Sequence, residues 1–428
     1  MVRAMPDLLA TASALVDPLP MGERRSLLMR WADRLALHAE ALAQTITAAT
    51  RKPIRLSRNE VERGIATIRG TAAAMEQLAP QALALDDGGT AEIDRVPLGP
   101  VLAITPFNFP LNLAVHKLAP AIAAGCPVIW KPSPLAPGVA EFVLTHLSNA
   151  DAPAGLVQLA HLSNDAVAAL VQDERLAVLS FTGSVAVGHH LQKLAARAKV
   201  LLELGGNAAV ILHQLDDPEA VAEQVALGAC ANAGQICISV QRIFVPADRP
   251  EWKAALVQAF RALPCGDPTL DTTLCGPVIN AAAKERIAAL ISRYQTQGGT
   301  LLCGGTWDGL ILTPTLIDGL PAIAPGIYDT EAFAPLATIH EYGDVDGAIH
   351  LAELTPFGLQ CGLYTHDADV IRRAFANLNV GTLVVGNVPT RRDDRLPYGG
   401  MKDSGCGREG TFASVLDFTQ PKVLWRPG

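Results

Sequence analysis

Aromatic residues are scarce in this chain: five tryptophans, five tyrosines and eleven phenylalanines among 428 residues. Its core must therefore be built largely from alanine, valine, leucine and isoleucine. No uncharged apolar run reaches the roughly 18 residues of a membrane span. Residues 8–16 are mildly apolar, but an acidic residue precedes them and Asp17 and prolines follow, so they do not read as a secretory signal. No lysine/arginine cluster is long enough to track a phosphate backbone, which sets nucleic acid aside as a partner. No C-x-x-C pair occurs among the eight cysteines (126, 230, 237, 265, 275, 303, 361 and 406). They read as reduced, mostly buried thiols of a cytoplasmic protein. The adjacent His189 and His190 point apart on a helix, and no metal site is expected.

What is present is a well-packed globular composition, 50% hydrophobic and 18% charged, with a net charge of −8 and a pI near 5.7. The length calls for two or three domains. Residues 21–78 read as helical, with an amphipathic helix over 21–49 and an interruption at Lys52-Pro53. Asp86-Asp87-Gly88-Gly89 is a turn and 92–96 alternates, which predicts a hairpin at the edge of the structure. From 101 to 204, strands (101–105, 127–131, 156–160, 177–182, 200–204) alternate with helices (111–124, 138–148, 165–172, 185–198). This is the pattern of a parallel sheet covered on both faces, with ligands expected beyond the carboxyl ends of the strands. A second α/β pattern follows over 205–400, and Val423-Leu424-Trp425 suggests an added edge strand.

The residues just after each strand carry the chemistry. Asn108 sits in Thr105-Pro106-Phe107-Asn108-Phe109-Pro110 as a stiffly held amide donor for an oxyanion, or as a turn former. Lys131, before Pro132-Ser133, can bind sugar hydroxyls or phosphate, or can snorkel at the surface. Gly183 and Ser184 offer backbone N–H groups to an anion at a helix start, or an ordinary N-cap. Glu203, followed by Gly205-Gly206, is a base or a capping carboxylate. Cys237, in Asn232-Ala233-Gly234-Gln235-Ile236-Cys237, is a nucleophile or an inert buried thiol.

Taken together and in order, these segments resemble the aldehyde dehydrogenase superfamily. The likeness extends to Glu331-Ala332-Phe333-Ala334-Pro335, to Pro397-Tyr398-Gly399-Gly400-Met401-Lys402 and to Ser404-Gly405-Cys406-Gly407-Arg408-Glu409, and it covers roughly 21–425. It implies an α/β fold with a parallel-sheet dinucleotide-binding domain (1–85 and 99–204), an α/β catalytic domain (205–410) and a small bridging, oligomerising element (86–98 and 411–428). It also implies a homodimer or homotetramer. By the same resemblance Cys237 attacks the aldehyde, Asn108 stabilises the oxyanion and Glu203 activates water on the thioester. Thr105, Pro106, Phe107, Lys131, Ser133, Gly183, Ser184, Leu204, Glu331 and Phe333 would hold NAD, with NADP possible because Pro134 stands where a glutamate often repels a 2′-phosphate. The substrate pocket would be lined by Asn112, Leu113, His116, Ile236, Ile238, Arg391 and Arg392. That lining suggests a small hydroxyaldehyde or semialdehyde. On the residues alone, His116 can equally be a solvated helix residue and the arginine pair a surface loop bridged to its own aspartates. Three departures stand out: the short segment before 21 with an abbreviated hairpin, Pro134, and Ala334 in place of a glycine. The alternatives are a coenzyme A-acylating dehydrogenase and a catalytically silent scaffold.

Overall fold

The computed structural model describes residues 7–17, 19–214 and 217–428. Residues 1–6, the start of the expected cofactor-binding segment, lie outside that range. Two mostly parallel sheets carry the fold. The first has six strands in the spatial order Gly405–Cys406, Lys199–Glu203, Val178–Thr182, Val101–Ile104, Val128–Lys131 and Val157–Leu159. All neighbours are parallel except the short Gly405–Cys406 strand. Val-Leu-Ala-Ile at 101–104 is buried throughout, because helices cover both faces of the sheet. Helices Met21–Leu37, Ala39–Thr50, Ile54–Ala74, Asn112–Ala124 and Pro137–Ser148 fill one side. Leu8–Ser13, Asn164–Gln172 and Val185–Leu194 fill the other.

The second sheet runs Thr300–Cys303, Thr315–Asp318, Leu336–Tyr342, Val240–Pro246, Ala208–Leu212, Gln360–Tyr364 and Thr382–Val385. Helices Pro218–Cys230, Glu251–Ala262 and Ala281–Thr296 pack on one face, and Val345–Glu353 with Ala368–Asn377 on the other. A third, three-stranded sheet joins Gln81–Ala84, Thr90–Pro97 and Thr419–Arg426, with Thr90 opposite Arg426 and Pro97 opposite Thr419. The hairpin and the added tail strand are thus where the pattern placed them.

Several details differ from expectation. The helix expected over 21–49 is two helices, because His38 leaves helical geometry at φ −119° and ψ 23°. The helix from 185 stops at Leu194 rather than 198. Thr315–Asp318 was not anticipated: it is a four-residue strand between Pro314 and Gly319, too short to show a period. The segment boundaries also move. Gln81–Ala84 pairs in the small sheet, Gly405–Cys406 completes the first sheet, and Val415 and Phe418 pack into the first core.

One buried ion pair fixes the helix that enters the site. Glu60 Oε1 accepts the backbone N–H groups of Leu111 (2.9 Å) and Asn112 (3.1 Å), the orphan donors at the start of helix Asn112–Ala124. Its other oxygen pairs with Lys52, and both side chains are fully buried. The Lys52 ammonium lies 3.7 Å from the centroid of the Phe109 ring, which ties the 105–110 turn to the same clamp. Removing one partner of such a pair strands a buried charge. Glu60→Gln keeps the shape and an acceptor but leaves Lys52 uncompensated. We expect it to cost about 3 kcal/mol, seen as a lower urea midpoint; an unchanged midpoint contradicts the clamp.

Candidate active site

The carboxyl ends of four adjacent strands in the first sheet form one rim. Ile104 lies opposite both Lys131 and Phe181, and Thr182 lies opposite Glu203. Thr105 is buried and accepts from Trp130 Nε1 at 3.0 Å. Lys131 is half-buried, and burial lowers its ammonium from the usual range. Thr182 Oγ1 is buried without a partner among the described residues. Ser184 starts helix Val185–Leu194, but its side chain makes no capping bond and is exposed, so the ordinary side-chain cap is not what it supplies. Ser133 Oγ accepts from Leu135 N at 3.3 Å. Leu204 is placed differently from expectation: its side chain is in the core, pressed on Gly188, where a Cβ would lie 2.4 Å from Leu204 Cδ2. Only its backbone is near the rim. Pro106 and Phe107 are half-exposed. The Phe107 ring meets Phe333 edge-on at 6.3 Å, which brings the 331–335 segment to the same rim.

The Cys237 loop reaches this rim through a tight left-handed turn. Asn232, Ala233 and Gly234 all have positive φ (53°, 55° and 64°), an arrangement that costs free energy for the two non-glycine residues. Gly234 cannot be replaced, since a Cβ there would fall 1.9 Å from the Ala334 carbonyl oxygen. Gln235 secures the turn on both sides: its Oε1 accepts from Ile279 N (2.9 Å) and its Nε2 donates to Asn232 O (3.1 Å). Asn108 Nδ2 donates to the Gln235 carbonyl at 2.9 Å, so one amide hydrogen is spent on aiming the group and the other remains. Gly206 sits against Cys237, where a Cβ would lie 2.2 Å from its carbonyl oxygen, and a Cβ on Gly205 would lie 2.7 Å from Glu331 Oε2. The two glycines after Glu203 therefore admit the protein's own Cys237 loop and Glu331. Glu331 accepts from Gly206 N at 3.1 Å, and burial lifts its carboxyl to about 7. Ala334 does not take a positive φ; that strain falls on Phe333, at 46°.

The electrostatics divide two carboxyls. Glu203 is buried, its Oε1 has no partner among the described residues, and burial together with the nearby Glu409 raises it well above the usual carboxylate range. Burial would raise Glu409 too, but Lys117, His116 and Arg392 hold it down to about 2. Lys117 Nζ lies 3.0 Å from Glu409 Oε1. A polar void of about 10 Å³, close to what one water requires, is lined by Glu203, Lys117, Arg408 and Glu409. Cys237 is half-buried, and its dry surroundings push the thiol up to about 12. Its Sγ lies 3.4 Å from Tyr398 Oη. Lys117, Tyr398 and Glu409 were not assigned roles from sequence. Lys117 had a signal, being a lysine inside a helix whose thirteen residues are all buried.

Arg391 and Arg392, with Gln360, Leu396 and Tyr398, border a cavity of about 320 Å³ whose lining includes neither Cys237 nor Asn108. Ile236 and Ile238 pack with Cys237 and Tyr398. His116 is not a solvated helix residue: its side chain is fully buried, 3.2 Å from Asp394 and 3.1 Å from Arg392. Arg392 does pair with its own loop's Asp394 (2.9 Å), but in the interior, with Glu409 at 3.4 Å and its guanidinium 3.8 Å over the Tyr398 ring. Arg391 is exposed, so the two arginines do not act as one fork. Among the described residues no group of three His, Cys, Asp or Glu side chains is placed to hold a metal ion.

A hydrogen bond to a thiolate stabilises the charged form. Tyr398→Phe removes the hydroxyl and keeps the ring under Arg392. We expect the pH midpoint of Cys237 alkylation by iodoacetamide to rise and the rate at neutral pH to fall by about tenfold. An unshifted midpoint counts against the bond.

The sequence model described as "Aldehyde dehydrogenase family" matches residues 9–424. The chain is similar to a lactaldehyde dehydrogenase of Methanococcus maripaludis, 34% identical over 96% of this chain and 89% of that one. It is also similar to a 3-sulfolactaldehyde dehydrogenase of Priestia aryabhattai, 33% identical over 94% of this chain and 86% of that one. A solved structure, the glyceraldehyde-3-phosphate dehydrogenase of Methanocaldococcus jannaschii complexed with NADP, superposes with a TM-score of 0.94 at 31% identity, over 99% of this chain and 94% of the other. By sequence and by fold, the chain belongs to the aldehyde dehydrogenase family.

Proposed function

We propose that this protein oxidises a small polar aldehyde, a hydroxyaldehyde or a semialdehyde, to its carboxylic acid with NAD or NADP. The observation that carries the reading is that Asn108 is bonded to the Cys237 loop, while a buried Glu203 with an unpartnered oxygen lies near enough to act on the Cys237 thiol. Cys237 adds to the carbonyl as thiolate, and the remaining Asn108 N–H and the Cys237 backbone N–H receive the oxyanion. A nicotinamide held at the strand rim would supply the hydride acceptor, and loss of hydride from the adduct would leave a thioester on Cys237. Glu203 then takes a proton from water, and Lys117 and Glu409 beside it favour passing that proton onward.

The residues at the strand rim fit a dinucleotide. Lys131 has no acidic partner among the described residues, Thr182 Oγ1 is orphaned, and Gly183 and Ser184 open a helix. Lys131, Ser133, Gly183 and Ser184 would hold its phosphates and adenosine end, with Thr105, Pro106, Phe107, Glu331 and Phe333 toward the nicotinamide. Arg391, exposed beside the cavity, suits an anionic substituent on the substrate. The open edges of the small sheet, with Leu83, Val423, Leu424 and Trp425 exposed, support a homodimer or homotetramer. Eight free cysteines support a reducing, cytoplasmic setting.

With Glu203→Gln, the first-turnover burst of NADH should persist while steady turnover falls by about a hundredfold; unchanged turnover removes Glu203 as the base. In the parent protein, steady turnover should climb with pH through neutrality. The active species is the carboxylate, and its raised pKa delays ionisation beyond the ordinary carboxylate range. The variant should lose that limb. A panel of lactaldehyde, succinate semialdehyde and a long alkanal, each with NAD and NADP, tests the substrate class; preference for the alkanal contradicts it. Acceleration of NADH formation by coenzyme A favours acyl transfer over hydrolysis.

A further inference from the structure

A second pair of sulfurs lies behind the Cys237 loop and takes no part in the proposed chemistry. Cys265 and Cys275 are partners in an isolated backbone bridge, with Gly266 N donating to Cys275 O (3.0 Å) and Cys275 N donating to Pro264 O (3.0 Å). Bridge partners have Cα atoms about 5 Å apart, inside the window a disulfide needs. Both thiols face the Leu312 carbonyl, at 3.7 and 4.0 Å. The neighbouring Cys275 thiol holds Cys265 below the usual thiol range, and Cys265 together with burial holds Cys275 above it. Cys265 is partly exposed, whereas Cys275 is fully buried. One is thus an accessible attacking thiol and the other a sheltered resolving thiol.

The pair also touches the strained turn. Asn232 N donates to Leu274 O at 3.2 Å, and the Cys275 sulfur is near enough to the Ala233 backbone N–H for that group to lower its thiol. Asn232 and Ala233 are the two non-glycine residues held at positive φ ahead of Cys237. Moving the Cys275 sulfur therefore removes a support from the loop that carries the reactive thiol.

We propose that Cys265 and Cys275 form a peroxide-oxidisable dithiol, a modification site whose closure to a disulfide slows the chemistry of Cys237. The Cys265 thiolate attacks hydrogen peroxide, breaking the O–O bond and leaving a sulfenic acid and hydroxide. The Cys275 thiol then attacks that sulfur; the S–S bond forms and the oxygen leaves as water. Overall, two thiols and one peroxide give one disulfide and two waters. Closure swings the Cys275 sulfur toward Cys265 and away from Ala233 N–H.

The covalent step can be read without any assay of activity, so it stands apart from the dehydrogenase reading; the effect on Cys237 rests on that reading. Trypsin releases residues 262–284 as one peptide that holds Cys265 and Cys275 and no other cysteine. After brief treatment of the full-length protein with hydrogen peroxide, then iodoacetamide, this peptide should be lighter by two hydrogens and unalkylated. Dithiothreitol should restore both alkylation sites. Both cysteines still alkylated, a cross-link to Cys230 or Cys303 instead, or oxidation of Cys265 alone to a sulfinic acid overturns the pair. In parallel, wild-type aldehyde oxidation should slow by about tenfold, as expected for a misplaced reacting group, and recover with dithiothreitol. Cys265→Ser should keep basal activity and lose that reversible component. Closure with undiminished activity, or an equal reversible loss in Cys265→Ser, overturns the link to the loop. A protein inactive before any peroxide would instead contradict the dehydrogenase reading and leave the peptide measurement intact.

Discussion

A carboxylate held ionised in a dry interior organises the site. Glu409 comes from the last turns of the chain, yet its partners are Lys117, on a helix almost three hundred residues earlier, and Arg392, on the loop beside the cavity. Two cations around one anion make the buried charge tolerable. They also settle how Glu203 and Glu409 share a region where two negative charges would repel. Glu409 has the counter-ions and is held low; Glu203 has an empty oxygen and is raised by burial and by Glu409. Two carboxyls driven apart in this way are the physical mark of a division of labour. The same cluster buries His116 and Asp394, so the wall behind the cleft is rigid and charged rather than a wet substrate pocket.

Close backbone approach supplies the second constraint. Around the Cys237 loop, segments leading into the second sheet meet with no room for a Cβ. Gly206 meets the Cys237 carbonyl and Gly234 meets the Ala334 carbonyl, while Gly205 meets the Glu331 carboxyl. The Gln241 side chain adds to this, donating to Gly206 O (3.0 Å) and accepting from Ala332 N (2.6 Å). Where both partners are peptide groups, as at Gly206 and Gly234, there is no rotamer to yield.

Much of this was legible in the sequence, for reasons that can be named. The apolar strand expected over 127–131 and the helix over 138–148 are found within one residue of those bounds, as Val128–Lys131 and Pro137–Ser148. Asn108 and Glu203 stood out because each lies at or just beyond the end of an apolar strand, within two residues of glycine or proline, and Cys237 because it closes the segment Gly234-Gln235-Ile236-Cys237. What stayed hidden depends on contacts distant in the chain. Glu60 reads as one more charge on an amphipathic helix, and nothing local says that it caps Asn112–Ala124. His116 shows the converse: a histidine on a helix looks exposed until Arg392 and Asp394 arrive from the far end of the chain. The glycines after Glu203 leave room that the protein itself fills, with the Cys237 carbonyl against Gly206 and the Glu331 carboxyl against Gly205.

The resting charges suggest how the proposed steps are kept in order. The negative charges of Glu331 and Glu203 each raise the Cys237 thiol, on top of burial, and Glu331 contributes more. A thiolate and a Glu203 carboxylate therefore disfavour each other. Acylation of the sulfur removes that mutual penalty, while burial and Glu409, which raise Glu203 most, stay in place. In the proposed sequence the loss of charge at the sulfur eases ionisation of the base at the stage where a thioester awaits hydrolysis.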